Sequence, residues 1–371
     1  MLELTSLEGS RAAYRAALDF SQEQVRALAS NDPGFYPMYT ERGRWRHGKP
    51  AWTRWCDGFL PGMMWIFAKR TGDAEWASLA ETYTTPLEPR KMDRNVHDLG
   101  FIFLSTYHRW HALTGRSELN DVVIQAGRTL ALRFKEKGEY MASFMGPESL
   151  FIDIMANVGI IFYAALQTGD AALMDVAMKH SLTSRRVLVR GDGSSSHEGI
   201  YDLATGEFLR QSTQQGWRSD SCWSRGLAWA IYGFSAAYKL VRDTRFLQTA
   251  ELCADYYLEH VPAHGVPPMD FDSPVDERRE ESSAAAITAA GLLRLATLAP
   301  DRAKGMYYDQ AARRVLLTLA RPPYLASETP GWEGILKEGI YHLNLGLGVG
   351  ESVMWGEYFF VEALDRALGA D

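Results

Sequence analysis

HDLGFIFLSTYHRWHALTGR (97–116) is one of six similar segments that decide the fold. Each segment begins with a polar or charged residue and continues as an apolar helix rich in small and aromatic residues. Most of them end at a turn signal, such as the Thr-Gly pair of this one. Helices that are apolar on nearly every side must be buried against several neighbours. The six segments span residues 57–73, 97–116, 152–170, 222–243, 282–300 and 355–369.

Six amphipathic helices are predicted between these segments. Their apolar residues recur at helical spacing and the opposite face is charged, which is typical of a helix with one side in water. They span roughly residues 8–29, 73–85, 117–136, 170–186, 243–260 and 301–320. Five of them begin at residue types that are favoured as helix N-caps. These predicted caps are Asp73, Ser117, Asp170, Asp243 and Asp301.

An outer amphipathic helix followed by an inner apolar helix, repeated six times, predicts an all-α fold, the (α/α)6 barrel. The repeat interval varies from about forty to about seventy residues, which favours a closed barrel with unequal loops over a regular solenoid. The alternative is an irregular all-α domain. If the six inner helices run parallel, their polar N-terminal ends form one rim, and the functional site is expected at that rim.

Composition indicates one large domain, residues 1–371, because no Pro/Gly/Ser-rich linker or low-complexity stretch divides the chain. A net charge of −7 argues against nucleic acid as a partner. Three cysteines indicate neither a disulfide framework nor a metal site, and no cofactor is expected. No leader or apolar run of membrane length is recognised, so the expected location is cytoplasmic, without a membrane partner. Monomer and homodimer both stay open.

Two aspartates at the predicted rim are candidates for acid–base chemistry. Asp98 follows His97 at the start of the second inner segment, and Asp153 opens the third. Either aspartate alone fits an N-cap better than a catalyst. On adjacent inner helices of one rim, however, they form a carboxyl pair of which one member keeps its proton near neutral pH. A general acid–base needs such a group.

The fourth inner segment offers groups that can hold a sugar acid. Arg225 and Trp229 are four residues apart and share a helix face, so a guanidinium can grip a carboxylate while the indole stacks on a sugar ring. The alternative for Arg225 is a structural salt bridge to Asp220. Upstream, the turn-like and strand-like residues of 191–212 predict a small hairpin over the rim that carries His197.

Six short motifs occur in order along the chain. They are GF-x-x-G-x-x-W (58–65), HDLGF (97–101), D-x-x-x-N (153–157), QGW-x-x-D-S-x-W-S-R-G-x-A-W (215–229), SSAAAI (282–287) and WGEYFFVEAL (355–364). Each is weak alone, but all six in order make the chain resemble the unsaturated glucuronyl hydrolases of glycoside hydrolase family 88. The resemblance extends from about Trp52 to Leu364.

The resemblance implies the same barrel and a defined reaction. The enzymes of this family release the terminal 4,5-unsaturated uronic acid from oligosaccharides made by polysaccharide lyases, so the implied partner is a small unsaturated oligosaccharide. The matching positions imply Asp153 as the general acid–base and Asp98 as the second essential carboxyl group. The implied substrate contacts are His97, His197, Gln215, Arg225 and Trp229.

Departures from the family pattern affect the expected substrate. Either Trp52 or Trp55 matches the tryptophan that stacks on the sugar in this family, and we expect it to be Trp55. Phe144 stands where relatives often carry another tryptophan. Glutamates, Glu281 and Glu357, replace two aspartates. The loop 343–352 has no Lys or Arg, which favours an unsulfated or weakly sulfated substrate.

Four other functions remain as alternatives. They are an unsaturated rhamnogalacturonyl hydrolase of the sister family, an ordinary inverting glycosidase, a sugar 2-epimerase and a carbohydrate-binding barrel. The 215–229 motif favours the glucuronyl type over the sister family. An epimerase is expected to carry a rim pair of His bases, whereas Asp dominates this rim. A binding module would not explain two inward carboxyl groups.

Overall fold

The computed structural model describes residues 7–369, in which outer and inner helices alternate along the chain. In chain order the helices are α1 (Leu7–Asn31), α2 (Phe59–Thr71), α3 (Ala74–Thr84), α4 (Leu99–Ser105), α5 (Tyr107–Thr114), α6 (Ser117–Ala131), α7 (Ile154–Asn157), α8 (Gly159–Thr168), α9 (Ala171–Leu188), α10 (Ser224–Val241), α11 (Thr244–His260), α12 (Ser282–Leu298), α13 (Arg302–Leu319) and α14 (Met354–Leu368).

The inner helices form a closed ring, which confirms the (α/α)6 barrel. Helix α2 packs on α4, α4 packs on α7 and α8, and these pack on α10. The ring continues through α12 and α14, and α14 packs back on α2. The outer helices α1, α3, α6, α9, α11 and α13 cover the ring from outside. Because each outer helix returns the chain, the inner helices run parallel and their N-termini share one rim. None of the helices in residues 7–369 combines the length and apolarity needed to cross a bilayer.

The second and third inner helices are each interrupted once. The first interruption is at Thr106, whose hydroxyl donates to the carbonyl of Ile102 at 2.5 Å, and the preceding Ser105 hydroxyl also bonds to a carbonyl of its own helix. Hydroxyl groups that bond back to the helix backbone bend it. The second interruption is at Val158, between α7 and α8. The sequence pattern predicts one continuous helix in each case, so it misses both breaks.

Four of the five predicted N-caps are confirmed. The carboxylates of Asp73, Asp170, Asp243 and Asp301 each accept backbone N–H groups from the first turn of the following helix. The prediction for Ser117 is wrong, because this residue is the first helical residue of α6 and Arg116 occupies the cap position.

Short strands cover part of the rim. They are β1 (Thr40–Glu41), β2 (Arg44–Trp45), β3 (Phe134–Lys135), β4 (Tyr140–Met141), β5 (Ser149–Phe151), β6 (Glu198–Tyr201) and β7 (Phe208–Ser212). Strands β6 and β7 form the predicted hairpin, and β5 extends it antiparallel to β6, with Phe151 opposite Glu198. The carbonyl of His197 accepts the N–H of Ile152 at 3.0 Å. This pairing brings His197 beside Asp153.

Candidate active site

A cavity of about 480 Å³ opens at the N-terminal ends of the inner helices. Most of the site residues predicted from the sequence line it: Trp55, His97, Asp98, Phe144, Asp153, Gln215, Arg225 and Trp229. His197 lies behind Asp153 and does not line the cavity. Asp57, the first residue of the first inner segment, does not line it either and pairs with Arg90 at 3.1 Å. Trp52, the alternative to Trp55 for the stacking tryptophan, lines the cavity as well. Sequence reasoning missed the other lining residues, which are Met145, Phe151, Gln214 and Tyr341.

Asp98 and Asp153 occupy N-cap positions but do not act as caps. Each directly precedes an inner helix, α4 or α7, and neither side chain accepts a hydrogen bond from the helix backbone. The carboxyl groups are therefore available to the cavity. The interpretation that they are ordinary caps is wrong for both.

Asn157 takes over the capping of α4. Its side-chain oxygen accepts the N–H of Phe101 at 2.7 Å, and its amide nitrogen donates to the Asp153 carbonyl at 3.1 Å. One side chain thus ties the helix that follows Asp98 to the residue Asp153. The two helices are in close contact there, since a Cβ at Gly100 would lie 2.5 Å from the Asn157 carbonyl oxygen. This explains the glycine of HDLGF and the asparagine of D-x-x-x-N.

Burial raises the pKa of both carboxyl groups. It raises the pKa of Asp153 to about 7, against the lowering effect of the Arg225 charge. Burial and then the Asp153 charge raise the pKa of Asp98 well above its ordinary value. The dominant cause for Asp153 is thus desolvation, whereas the sequence argument had expected Asp98 to raise its pKa. Oδ2 of Asp153 is buried and has no hydrogen-bond partner among the described residues.

Two neutral histidines face the two carboxyl groups. Nδ1 of His97 accepts the N–H of Phe144 at 3.1 Å, so its proton is on Nε2, which lies 3.4 Å from Oδ1 of Asp98. Nδ1 of His197 likewise accepts the N–H of Gln214 at 3.2 Å, and Nε2 lies 3.6 Å from Oδ2 of Asp153. Burial lowers the pKa of His97 well below its ordinary value and that of His197 to about 3. Each carboxyl group therefore faces an N–H donor without a full positive charge.

Arg225 is buried in a dense set of protein contacts. Nη1 donates to Glu281 at 3.3 Å and to the carbonyl of Ile340, and Nη2 donates to Oε1 of Gln215 at 2.5 Å and to the carbonyl of Tyr341 at 2.9 Å. Asp220 is exposed and pairs with Arg218 instead, so the predicted alternative partner is wrong. Because Oε1 of Gln215 faces Arg225, the –NH₂ group of that amide is turned away from the guanidinium.

Aromatic rings supply the cavity walls. Trp52 and Trp55 are both half-buried and both line the cavity, with Trp55 packed on Trp355 at 4.7 Å between ring centroids. The ring of Phe144 stacks on His97 at 5.2 Å. Trp229 is only 1% exposed and packs against the core, so it offers the cavity little more than an edge. The half-buried tryptophans therefore present the faces on which a sugar ring can stack.

Buried carboxyl groups that keep protons, neutral N–H donors and aromatic walls in one concave site are the groups with which glycosidic bonds are hydrolysed. At the mouth of an (α/α)6 barrel they define the class of the protein as a glycoside hydrolase.

Comparisons with known proteins identify the family. The chain is 33% identical over 329 residues to the unsaturated glucuronyl hydrolase of Bacillus sp. strain GL1, covering 85% of this chain and 86% of that protein. It is 28% identical over 359 residues to the unsaturated chondroitin disaccharide hydrolase of Streptococcus pyogenes serotype M1, covering 94% and 90%. The crystal structure of the Bacillus sp. GL1 enzyme, described as responsible for glycosaminoglycan degradation, matches with a TM-score of 0.89 at 28% identity, covering 95% and 96%. No protein-family model matches the chain.

The chain belongs to the unsaturated glucuronyl hydrolases. The resemblance inferred from the six motifs is therefore confirmed, and with it the assignment as a hydrolase that acts on glycosidic bonds. The epimerase and the binding module are excluded as main functions.

Proposed function

We propose that this enzyme removes the terminal 4,5-unsaturated uronic acid from small oligosaccharides by hydrating its C4=C5 double bond. The double bond is an enol ether, because C5 also carries the ring oxygen. Protonation of C4 places positive charge on C5 and the ring oxygen, and water then adds to C5. The resulting hemiketal opens and expels the aglycone.

Asp153 transfers both protons in this proposal. In its neutral form it donates a proton to C4, and as a carboxylate it then removes a proton from the water that attacks C5, which restores the neutral acid. The observation that carries the proposal is the buried, unpartnered Asp153 carboxyl group, whose pKa of about 7 makes both forms accessible near neutral pH. The Nε2–H of His197 stabilises the carboxylate that forms between the two steps.

Asp98 keeps its proton during the reaction. Burial and the charge of Asp153 hold its pKa well above the ordinary value. A neutral Asp98 adds no second negative charge beside an anionic substrate, and its O–H can donate to a sugar hydroxyl. Nε2 of His97, 3.4 Å from Oδ1 of Asp98, helps to hold the Asp98 carboxyl group in this position.

Substrate recognition combines stacking with hydrogen bonds. Trp52 and Trp55 stack on the sugar rings, and Phe144 limits the aglycone side. The –NH₂ group of Gln215 donates to the substrate carboxylate, because Arg225 holds its oxygen on the other side. Arg225 contributes its charge in addition, with four of its N–H bonds directed at protein oxygens.

The test follows the ultraviolet absorbance of the double bond. Wild-type enzyme is expected to bleach an unsaturated uronyl disaccharide and to leave the saturated uronide with the same aglycone intact. Cleavage of the saturated uronide would instead indicate an ordinary glycosidase that displaces the aglycone at the anomeric carbon. A third substrate with rhamnose as the aglycone tests the sister activity, which we expect to be weak.

A further inference from the structure

A second groove adjoins the active-site cavity and shares Phe144 with it. It has a volume of about 720 Å³ and lies between the segment before Asp98, the end of α6 and the segment between β4 and β5. Three cations line it: Arg94, Arg133 and Lys135. Among the described residues that line the groove there is no Asp or Glu.

Arg133 is fixed by carbonyl groups. Its guanidinium donates to the carbonyls of Ala142 at 2.7 Å, Ser143 at 2.6 Å and Arg94. Carbonyls hold the guanidinium in place but do not neutralise it, so its positive charge stays at the floor of the groove. This charge is close enough to the active site to act on the pKa values of His97 and Asp98. Because the groove and the cavity share Phe144, the groove lies within reach of a sugar that is joined to the one in the cavity.

Arg94 and Lys135 complete the positive surface. Arg94 is exposed and Lys135 is half-buried, and neither makes an ion pair with a carboxylate in the part of the chain that the structure describes. The acidic groups closest to the groove lie outside its lining, although Asp93 and Asp98 act on the charge of Arg133. Asp93 pairs with Arg90 at 3.3 Å, and Glu148 lies at the edge, beside Gly146.

The two sides of the active-site mouth thus differ in charge. The loop 343–352 follows Tyr341 on one side and carries no Lys or Arg, whereas the groove on the other side of Phe144 carries three cations. Since the whole protein has a net charge of −7, it repels anions in general, and this groove is a local region of positive charge. Local positive potential attracts anions and strengthens with low ionic strength.

We propose that the groove binds an oxyanion on the aglycone side of the substrate, either a sulfate ester or the carboxylate of a further uronic acid. The site rests on the proposed function, because its ligand is the remainder of the same oligosaccharide. It also changes the expectation drawn from the loop 343–352: the absence of cations in that loop excludes anions only on its own side of the mouth.

The test neutralises the groove without touching the catalytic groups. The variant is Arg94→Gln with Lys135→Gln; Arg133 is kept because its bonds hold the 142–143 segment. The matched control is Arg302→Gln with Arg314→Gln, which removes two exposed arginines from α13 and changes the net charge equally. Thermal unfolding of both variants is expected to equal that of the wild type.

Three unsaturated substrates separate the sources of the anion. They are a disaccharide with a neutral aglycone, the same disaccharide with a sulfated aglycone, and an unsulfated tetrasaccharide with an internal uronate. The groove variant is expected to lose about tenfold in kcat/KM on the sulfated disaccharide, or on the tetrasaccharide, relative to the neutral disaccharide. The substrate that is affected identifies the anion as sulfate or carboxylate. The control variant keeps the wild-type ratios.

Equal ratios in wild type, groove variant and control would overturn the proposed groove while leaving the proposed function intact. Failure of the wild type to bleach any unsaturated substrate would instead overturn the proposed function. Calorimetric binding of the sulfated disaccharide and of the tetrasaccharide to Asp153→Asn protein, with and without the groove substitutions, measures the groove independently of turnover. Identical affinities for both ligands would again remove the groove from recognition.

Discussion

Glu362 and Asp153 are both buried carboxyl groups of the inner ring, and their surroundings give them opposite properties. Glu362 lies in the C-terminal half of α14 and contacts Arg109 and Arg366 at 3.3 and 2.7 Å, with Arg294 at 3.8 Å. Burial would raise its pKa, but these arginines lower it to about 2. Asp153 lies at the N-terminal rim with an unpartnered oxygen, and burial raises its pKa to about 7.

Glu357 shows that a raised pKa alone does not mark a catalyst. Burial raises its pKa to about 8, yet its oxygens accept the N–H groups of Ile335 and Leu336 at 2.7 and 3.0 Å, and it does not line the active-site cavity. What distinguishes Asp153 is a proton near neutral pH together with free hydrogen-bonding capacity in a cavity. The comparison therefore assigns Glu362 to stability and Asp153 to chemistry.

The largest effect is expected from Asp153→Asn. The amide preserves shape but can neither donate a carboxyl proton nor accept one from water, so kcat should fall by about a hundredfold to ten-thousandfold. Steady-state kinetics measure the loss, and calorimetry should show that substrate still binds. Asp170→Asn, the same change at an outer-helix cap, is the control and should leave kcat unchanged, since Asn also caps helices. A variant that keeps most of its activity would remove Asp153 from the mechanism.

Glu362→Gln should affect stability instead of chemistry. It leaves the buried Arg294 and the half-buried Arg109 without their counter-charge, which costs about 3–5 kcal/mol in the free energy of unfolding. Chemical denaturation measures this, while kcat of the folded protein should stay near the wild-type value. Glu251→Gln, which breaks a more superficial contact with Lys304, should cost about 1 kcal/mol or less. Comparable losses in the two variants would contradict the structural role of Glu362.

Asn157→Ala should lower kcat by about ten- to a hundredfold, because the change frees the link between α4 and Asp153 and small misplacements of catalytic groups are costly. KM should change little. Asn157→Asp keeps the acceptor for the Phe101 N–H but loses the donor to the Asp153 carbonyl, and we expect an intermediate kcat. If Asn157→Ala lowered only the thermal stability and left kcat intact, Asn157 would be structural alone.

A change in pH should affect the contributions of Asp153 and Glu362 to stability in opposite directions. Activity needs neutral Asp153, so kcat/KM, which reports the free enzyme, should decline as pH rises above about 7. Because the pKa of Asp153 is raised from 3.8 to about 7 in the folded state, its contribution to stability is lost as pH rises through that window. The pKa of Glu362 is lowered from 4.5 to about 2, so its contribution is lost as pH falls through that range.

Denaturation curves between pH 2 and 8 test these opposite signs. Asp153→Asn should reduce only the loss of stability that occurs as pH rises towards neutral. Glu362→Gln should reduce only the loss of stability that occurs as pH falls into the acid range. The expected slopes are modest, at most about 1.4 kcal/mol per pH unit for each group. An unchanged curve in both variants would show that other groups dominate the pH dependence.

Local pattern was sufficient for much of this architecture. The six alternations and the aspartate caps depend on spacing within one helix, and the hairpin that follows His197 depends on a short run of turn and strand residues. The rim position of Asp98 and Asp153 followed from those elements. Their pairing with neutral histidines did not, because each tautomer is fixed by a backbone N–H from a different segment.

Contacts between distant segments could not be predicted from spacing. Arg225 was compared only with the nearby Asp220, whereas its carboxylate partner is Glu281 on the next inner helix and its carbonyl partners come from Ile340 and Tyr341. Those neighbours depend on how the barrel closes. Tyr341 could not be predicted as a cavity residue for the same reason, since its position also depends on how the barrel closes.

Closure of the ring between α14 and α2 has a consequence for how the chain folds. These helices are separated by about three-quarters of the sequence, yet each covers an apolar flank of the other. Until they meet, α2 and α14 expose those flanks to water, and such surfaces associate between molecules. Refolding should therefore be slow and its yield should fall with increasing protein concentration, because the closing contact joins helices that are far apart in the sequence.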